Sequence, residues 1–107
     1  MAELFRYQRV DGREPFTEWL TALRDKAVQA RIRVRLRRLE TDNFGDAPPV
    51  GDGVRELRIH VGPGYRVYFG QHGSALVILL CGGDKASQAS DIRRAKAFWR
   101  EWKERQT

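Results

Sequence analysis

The chain has 107 residues, 20 Lys+Arg against 14 Asp+Glu, a formal net charge of +6 and 41% hydrophobic residues. That is one domain's worth of chain with one modest core. The 32% charged fraction excludes a membrane-embedded protein, and its mixture of signs excludes a disordered tail. No run nears the roughly 20 apolar residues a transmembrane helix needs. The opening residues hold no apolar core of signal-peptide length, and one cysteine cannot close an internal disulfide, so the cytoplasm is the expected compartment. The basic excess favours phosphate backbones or acidic proteins as partners. His60, His72 and Cys81 show no metal-ligand spacing, and no glycine pattern has the spacing of a P-loop or dinucleotide fingerprint; no metal or cofactor is expected.

Residues 4–10 read as a first strand, ended by the turn Asp11-Gly12. Pro15 suits the first turn of a helix. Phe16, Trp19, Leu20 and Leu23 then recur at i, i+3, i+4, i+7, one apolar helical face. Asp25 is a good cap for a second helix, whose stripe is Val28, Ile32, Leu36 and Leu39. Arg31, Arg35 and Arg38 follow on an adjacent stripe, which reads equally as a solvated surface or an RNA-facing one. Residues 43–53, rich in Gly, Pro and Asp, read as a long loop.

Beyond the loop the period changes from 3.6 to 2. Over residues 54–61, Leu57, Ile59 and Val61 share one face and Glu56, Arg58 and His60 the other. Gly62-Pro63-Gly64 is a turn. Tyr65, Val67 and Phe69 then oppose Arg66 and Tyr68. Residues 75–81 are wholly apolar, as in the middle of a sheet. A sharp bend is expected at Gly82-Gly83. A final helix runs to about Arg105, with Ile92, Ala95, Trp99 and Trp102 at helical spacing. Its aromatics are read as core. The expected fold is a single α+β domain over residues 1–107. It has an antiparallel sheet of about four strands packed on helices, in the order β-α-α-β-β-β-α.

Hairpin pairing places Arg58 and Arg66 on one sheet face, near Glu56, His60 and Tyr68, with Lys85 within reach. Such a cluster suits a phosphodiester, because arginine offers a planar fork to phosphate oxygens and lysine a point charge. Cutting RNA without a metal needs a base for the 2′-hydroxyl, cations for the charge building on phosphorus, and an acid for the leaving 5′-oxygen. Arg58 and Arg66 fit the second role. Glu56, His60 or Lys85 could fill the first or third. Arg31, Arg35, Arg38 and Tyr68 are candidate RNA contacts. Each residue also has an ordinary reading: a surface ion pair for Arg58, a bystander for His60, sheet cover for Tyr68, and a turn or cap for Asp84.

Three strings in order carry a resemblance that spans nearly the whole chain. They are residues 53–58 with Arg55-Glu56-Leu57-Arg58, residues 62–69 with Gly64-Tyr65-Arg66, and residues 79–85 with Gly82-Gly83-Asp84-Lys85, followed by Ser87-Gln88 and Asp91-Ile92. Together they resemble the RelE/ParE toxin superfamily, and within it the HigB-like, phage-derived addiction-module killer proteins. The resemblance implies a type II toxin that acts as a metal-independent, ribosome-dependent mRNA endoribonuclease. It places Arg58, Arg66 and Lys85 at the positions of catalytic basic residues. Some relatives carry a Tyr or His near the C-terminus as acid or base. This chain has neither after His72, so Lys85 or Glu56 takes that role or the chemistry differs. The implied partners are the ribosome and mRNA, a cognate antitoxin with a helix-turn-helix domain, and operator DNA through that antitoxin. Two alternatives share the fold: a ParE-like gyrase poison acting by protein binding, and a degenerate toxin kept as a co-repressor.

Overall fold

The computed structural model describes residues 1–106. Its elements are β1 (Glu3–Arg6), α1 (Pro15–Ala22), α2 (Lys26–Glu40), β2 (Pro49–Gly51), β3 (Val54–Ile59), β4 (Tyr65–His72), β5 (Leu76–Asp84) and α3 (Gln88–Arg105). The fold is α+β, with five strands ordered β1-β5-β4-β3-β2.

Two features differ from the expected sheet. It is mixed rather than antiparallel, because β1 runs parallel to β5, pairing Glu3 with Leu76 through Arg6 with Leu79. It also has one more strand. Residues 43–53 are not all loop: Pro49–Gly51 pairs antiparallel with β3 as an edge strand, and Asp46 and Pro48 carbonyls accept from the Arg58 and Glu56 amides. Proline is tolerated there because an edge strand leaves one row of amides unpaired.

The helices form where the sequence signals them. Pro15 opens α1, and the Asp25 carboxylate caps α2 by accepting from the Ala27 and Val28 amides. Val28, Ile32, Leu36 and Leu39 of α2 join Phe16 and Leu20 of α1 on one sheet face, against Leu57, Ile59, Val67, Phe69, Val77 and Leu79. The other face packs under α3, where Ala95 and Trp99 meet Tyr7, Val54, Tyr68, Ile78, Leu80 and Cys81. β5 therefore lies between two cores, which explains its unbroken apolar run. A bulge opposite Tyr68/Phe69 accommodates Leu80, so Leu80 and Cys81 both serve the α3 core.

Gly62 and Gly64 hold φ of +54° and +81° in the β3–β4 turn, which a side chain rarely adopts. Gly82 and Gly83 have another purpose. They lie inside β5 and form no bend. A Cβ on Gly82 would stand 2.1 Å from Trp19, and one on Gly83 1.8 Å from the Asp91 carboxylate. The pair lets α1 and α3 pack closely on opposite faces of the same strand end.

Arg35 shows how the sequence couples α2 to the sheet. Its guanidinium donates to the Arg58 carbonyl at 2.6 Å and the Phe44 carbonyl at 3.2 Å. Burial, then the nearby Arg38 charge, pull its pKa down, against Asp46. Removing it strands two acceptors. Arg35→Ala is expected to destabilise the fold by about 2 kcal/mol, in the range for hydrogen bonds to charged groups. The surface control Arg31→Ala should stay within about 0.5 kcal/mol. Urea denaturation of both variants checks this.

Candidate functional site

The alternation of β3 and β4 places Glu56, Arg58, Arg66 and Tyr68 on the α3 face of the sheet. Register aligns them: Arg58 faces Arg66, and Glu56 faces Tyr68. Two arginines directly opposite each other would repel. Glu56 resolves this from between them. Its Oε1 accepts from Arg58 Nε at 3.0 Å, and its Oε2 lies 3.4 Å from Arg66 Nε. The same Oε2 accepts from the Tyr68 hydroxyl and the Gln88 amide, both at 2.9 Å.

Glu56 is fully buried. Burial alone would raise its pKa. Hydrogen bonds from Gln88, Arg58 and Tyr68, with the Arg66 charge, outweigh that and hold it below the usual carboxylate range. A carboxylate with no exposed surface and this many donors is placed to hold the groups around it in position. Gln88, the first residue of α3, went unnoticed in the sequence as a site residue. Its sequence signals were its place in the Ser87-Gln88 string and a polar side chain in the first turn of a helix that must cover this face.

The arginines are presented unequally. The Arg58 side chain is 39% exposed and that of Arg66 is 12% exposed. Arg66 Nε is buried and makes no hydrogen bond, only the ion pair, while Nη1 donates to the Gly64 carbonyl. Lys85 is exposed just past β5. A side chain on Gly64 would touch both the Arg66 guanidinium and the Lys85 Cβ at 3.9 Å, so the two cations flank the same turn. Asp84 is a turn residue, accepting from the Ala86 and Ser87 amides.

The remaining candidates lie elsewhere. Tyr68 is wholly buried beneath α3, where burial and the Glu56 bond raise its pKa, so its ring has no surface for a base. β3 ends at Ile59, so its alternation does not carry His60 onto the Arg58 face. His60 Nε2 lies 2.7 Å from the Asp46 carboxylate. His60 borders a cleft of about 350 Å³ with Arg31, Val34, Arg35 and Arg38, on the α2 side. Arg31 and Arg38 are exposed there, while Arg35 is engaged with the backbone.

The arrangement thus has a buried acid, two arginines aligned at one end of the sheet, and a lysine beside them. It can hold a phosphate dianion or a phosphodiester. Among the described residues no group of three or more His, Cys, Asp or Glu is placed to hold a metal ion.

An uncharacterized protein of Haemophilus influenzae is 49% identical over 86 residues, covering 80% of this chain and 87% of that protein. Residues 18–99, from α1 through the Trp99 turn of α3, match the family described as Phage derived protein Gp49-like (DUF891). The matched span takes in every member of the Glu56 cluster and Lys85, and the chain belongs to this Gp49-like family of phage-derived proteins.

Proposed function

We propose that the protein is the toxin of a type II toxin–antitoxin pair, a metal-independent endoribonuclease that cuts mRNA on the ribosome. The toxin-like character of phage-derived Gp49-like proteins and the resemblance to HigB-like toxins support this reading. The observation that carries it is the buried Glu56 fixing Arg58 and Arg66 side by side, with Lys85 at the rim.

The chemistry follows from those positions. Arg58 and Arg66 bind the scissile phosphodiester and stabilise the charge that builds on its non-bridging oxygens when the 2′-hydroxyl attacks phosphorus. Because Glu56 has already fixed Arg66, little reorganisation is needed at the moment of reaction. A solvent water accepts the proton of the attacking 2′-hydroxyl, and the Lys85 ammonium donates one to the 5′-oxygen as its bond to phosphorus breaks. Glu56 acts only through the arginines. The +6 charge draws the protein to the ribosome and to RNA, and equally to an acidic surface on an antitoxin with a helix-turn-helix domain. That antitoxin would carry the pair to operator DNA.

Inducible expression with mapping of mRNA 5′ ends tests the reading. The wild-type chain should stop growth and create new, codon-phased ends in translated messages. Arg66→Ala should reduce those ends at least 100-fold, the scale of losing a transition-state charge contact. Growth arrest with intact messages and a DNA-damage response would instead support gyrase poisoning. No arrest would support a co-repressor without activity.

A further inference from the structure

α3 divides its charges between two flanks. On the flank toward β1, Asp91 pairs with Arg94, and Glu101 pairs with Arg105 and accepts from Tyr7. Positive and negative groups there neutralise one another. The flank toward the β2–β3 turn carries Arg93, Lys96, Arg100 and Lys103, with the carboxylate of Glu104 at its edge. At 100° per residue these four fall within an arc of about 80°, and they climb about 15 Å along the helix axis. Lys96 lies 4.0 Å from the exposed Asp52 carboxylate, and the Lys103 ammonium sits 5.5 Å over the Trp99 ring. A cleft of about 360 Å³ runs between them, lined by Asp52, Lys96, Trp99, Arg100 and Lys103.

Three observations say what this flank fits. Its first cation, Arg93, lies five residues along α3 from Gln88, the helix's first residue, which is bonded to Glu56 on the sheet face that α3 covers. The row of cations therefore lies on the same sheet face as Arg58 and Arg66, whereas the arginines of α2 lie on the other. Its spacing is a step of three or four residues, about 4.5–6 Å of rise, close to the separation of successive phosphates of a single strand. And none of the exposed large hydrophobic residues, Met1, Phe5, Val10 and Val34, belongs to α3. The flank offers charge without the apolar anchor that a protein partner would need.

We infer that the Arg93–Lys96–Arg100–Lys103 flank of α3 is a second RNA-binding site, a track for the backbone of the single strand whose scissile phosphate lies at Arg58 and Arg66. This rests on the proposed nuclease reading and extends it. The track binds phosphates irrespective of base, so it sets affinity and the length of strand engaged, and leaves any base preference to the cluster.

The test uses end-labelled 2′-O-methyl oligouridylates, which cannot be cut, and fluorescence anisotropy over a salt series. The full chain should bind a 12-mer at least tenfold more tightly than a 4-mer. Lys96→Gln/Arg100→Gln/Lys103→Gln should lose at least tenfold affinity for the 12-mer. Its salt slope should fall by about 2, the value for three phosphate contacts to a single strand. Its 4-mer binding and unfolding midpoint should not change. Arg31→Gln/Arg38→Gln on α2 should bind the 12-mer within twofold of wild type.

The track is overturned if the α3 variant binds the 12-mer with unchanged affinity and slope. It is also overturned if 4-mer binding falls equally, or if a 12-base-pair DNA duplex binds more tightly than the RNA. If the wild-type chain binds neither oligomer yet cuts messages in cells, the track fails and the nuclease reading stands. Absence of both binding and cutting removes both.

Discussion

Glu56→Ala is expected to destabilise the fold by about 3–5 kcal/mol, the usual consequence of removing one partner from a buried ion pair. Among the described residues, this carboxylate is the one ion-pair partner of Arg66, whose side chain is 12% exposed. Without it the Arg66 guanidinium stays buried beside Arg58 with nothing between them, and the Tyr68 hydroxyl and Gln88 amide lose their acceptor. Small domains have about 5–15 kcal/mol in total, so the loss is a large share. Glu56→Gln keeps the shape and one acceptor and should lose less.

The two variants also separate the charge from the shape through pH. The folded-state pKa of Glu56 lies below its unfolded value. Its contribution is therefore complete above the unfolded value of about 4.3 and is lost as pH falls through the folded one. Wild type should weaken over that acid window, and Glu56→Gln should weaken less. Urea denaturation from neutral pH down to about pH 3 reads both effects. A Glu56→Ala variant within 1 kcal/mol of wild type would show that the carboxylate does not hold the cluster together.

The second large effect is expected at Gly83. A Cβ there would lie 1.8 Å from Asp91 Oδ2 and 2.8 Å from Ser87 Oγ. Neither neighbour has room to retreat: Asp91 is 5% exposed, its carboxylate accepts from the Ser87 hydroxyl, and its carbonyl accepts from the Cys81 thiol. Gly83→Ala must push the first turn of α3 off the sheet, which also draws Gln88 away from Glu56. About 3 kcal/mol is expected, the upper end for overpacking, or roughly 15 °C in Tm. Asp91→Ala removes the obstruction. The double variant should therefore recover more than about 1 kcal/mol relative to the sum of the single changes, a coupling that thermal denaturation of all four proteins measures. Strict additivity would mean that Gly83 is not there to admit Asp91.

These two residues also show how far the sequence was legible. Periodicity located α1, α2, α3 and the three long strands, because each buries one continuous apolar face. It missed β2, which is three residues of Pro, Val and Gly paired through the backbone of an edge. It made the sheet antiparallel because local pattern does not reveal that β1 returns beside β5. Within the site, alternation correctly put Arg58, Arg66, Glu56 and Tyr68 on one face. It could not say that the face is roofed.

The signal for the roof lay forty residues away, in the stripe Ile92, Ala95, Trp99 and Trp102, which needed a sheet face to cover. Taking that stripe together with the polar face would have buried Glu56 and Tyr68. It would also have explained Gly82-Gly83 as room for helices, not as a bend. His60 was misplaced for a simpler reason: the strand ended one residue before it, and its alternation ended there. Arg35 could not be told from Arg31 and Arg38, because only the fold brings carbonyls to one of the three.

The central claim is that Arg58, Arg66 and Lys85 promote attack of a 2′-hydroxyl on the adjacent phosphodiester of a translated message. The most direct measurement adds the purified protein to a translating extract with an end-labelled mRNA and determines the chemistry of the new ends. Wild type is predicted to leave a 2′,3′-cyclic phosphate and a 5′-hydroxyl, with Arg58→Ala, which leaves Glu56 its contacts to Arg66, Tyr68 and Gln88, reduced at least 100-fold although still folded. An intact message under arrested translation, or ends bearing a 3′-hydroxyl and a 5′-phosphate, would contradict it.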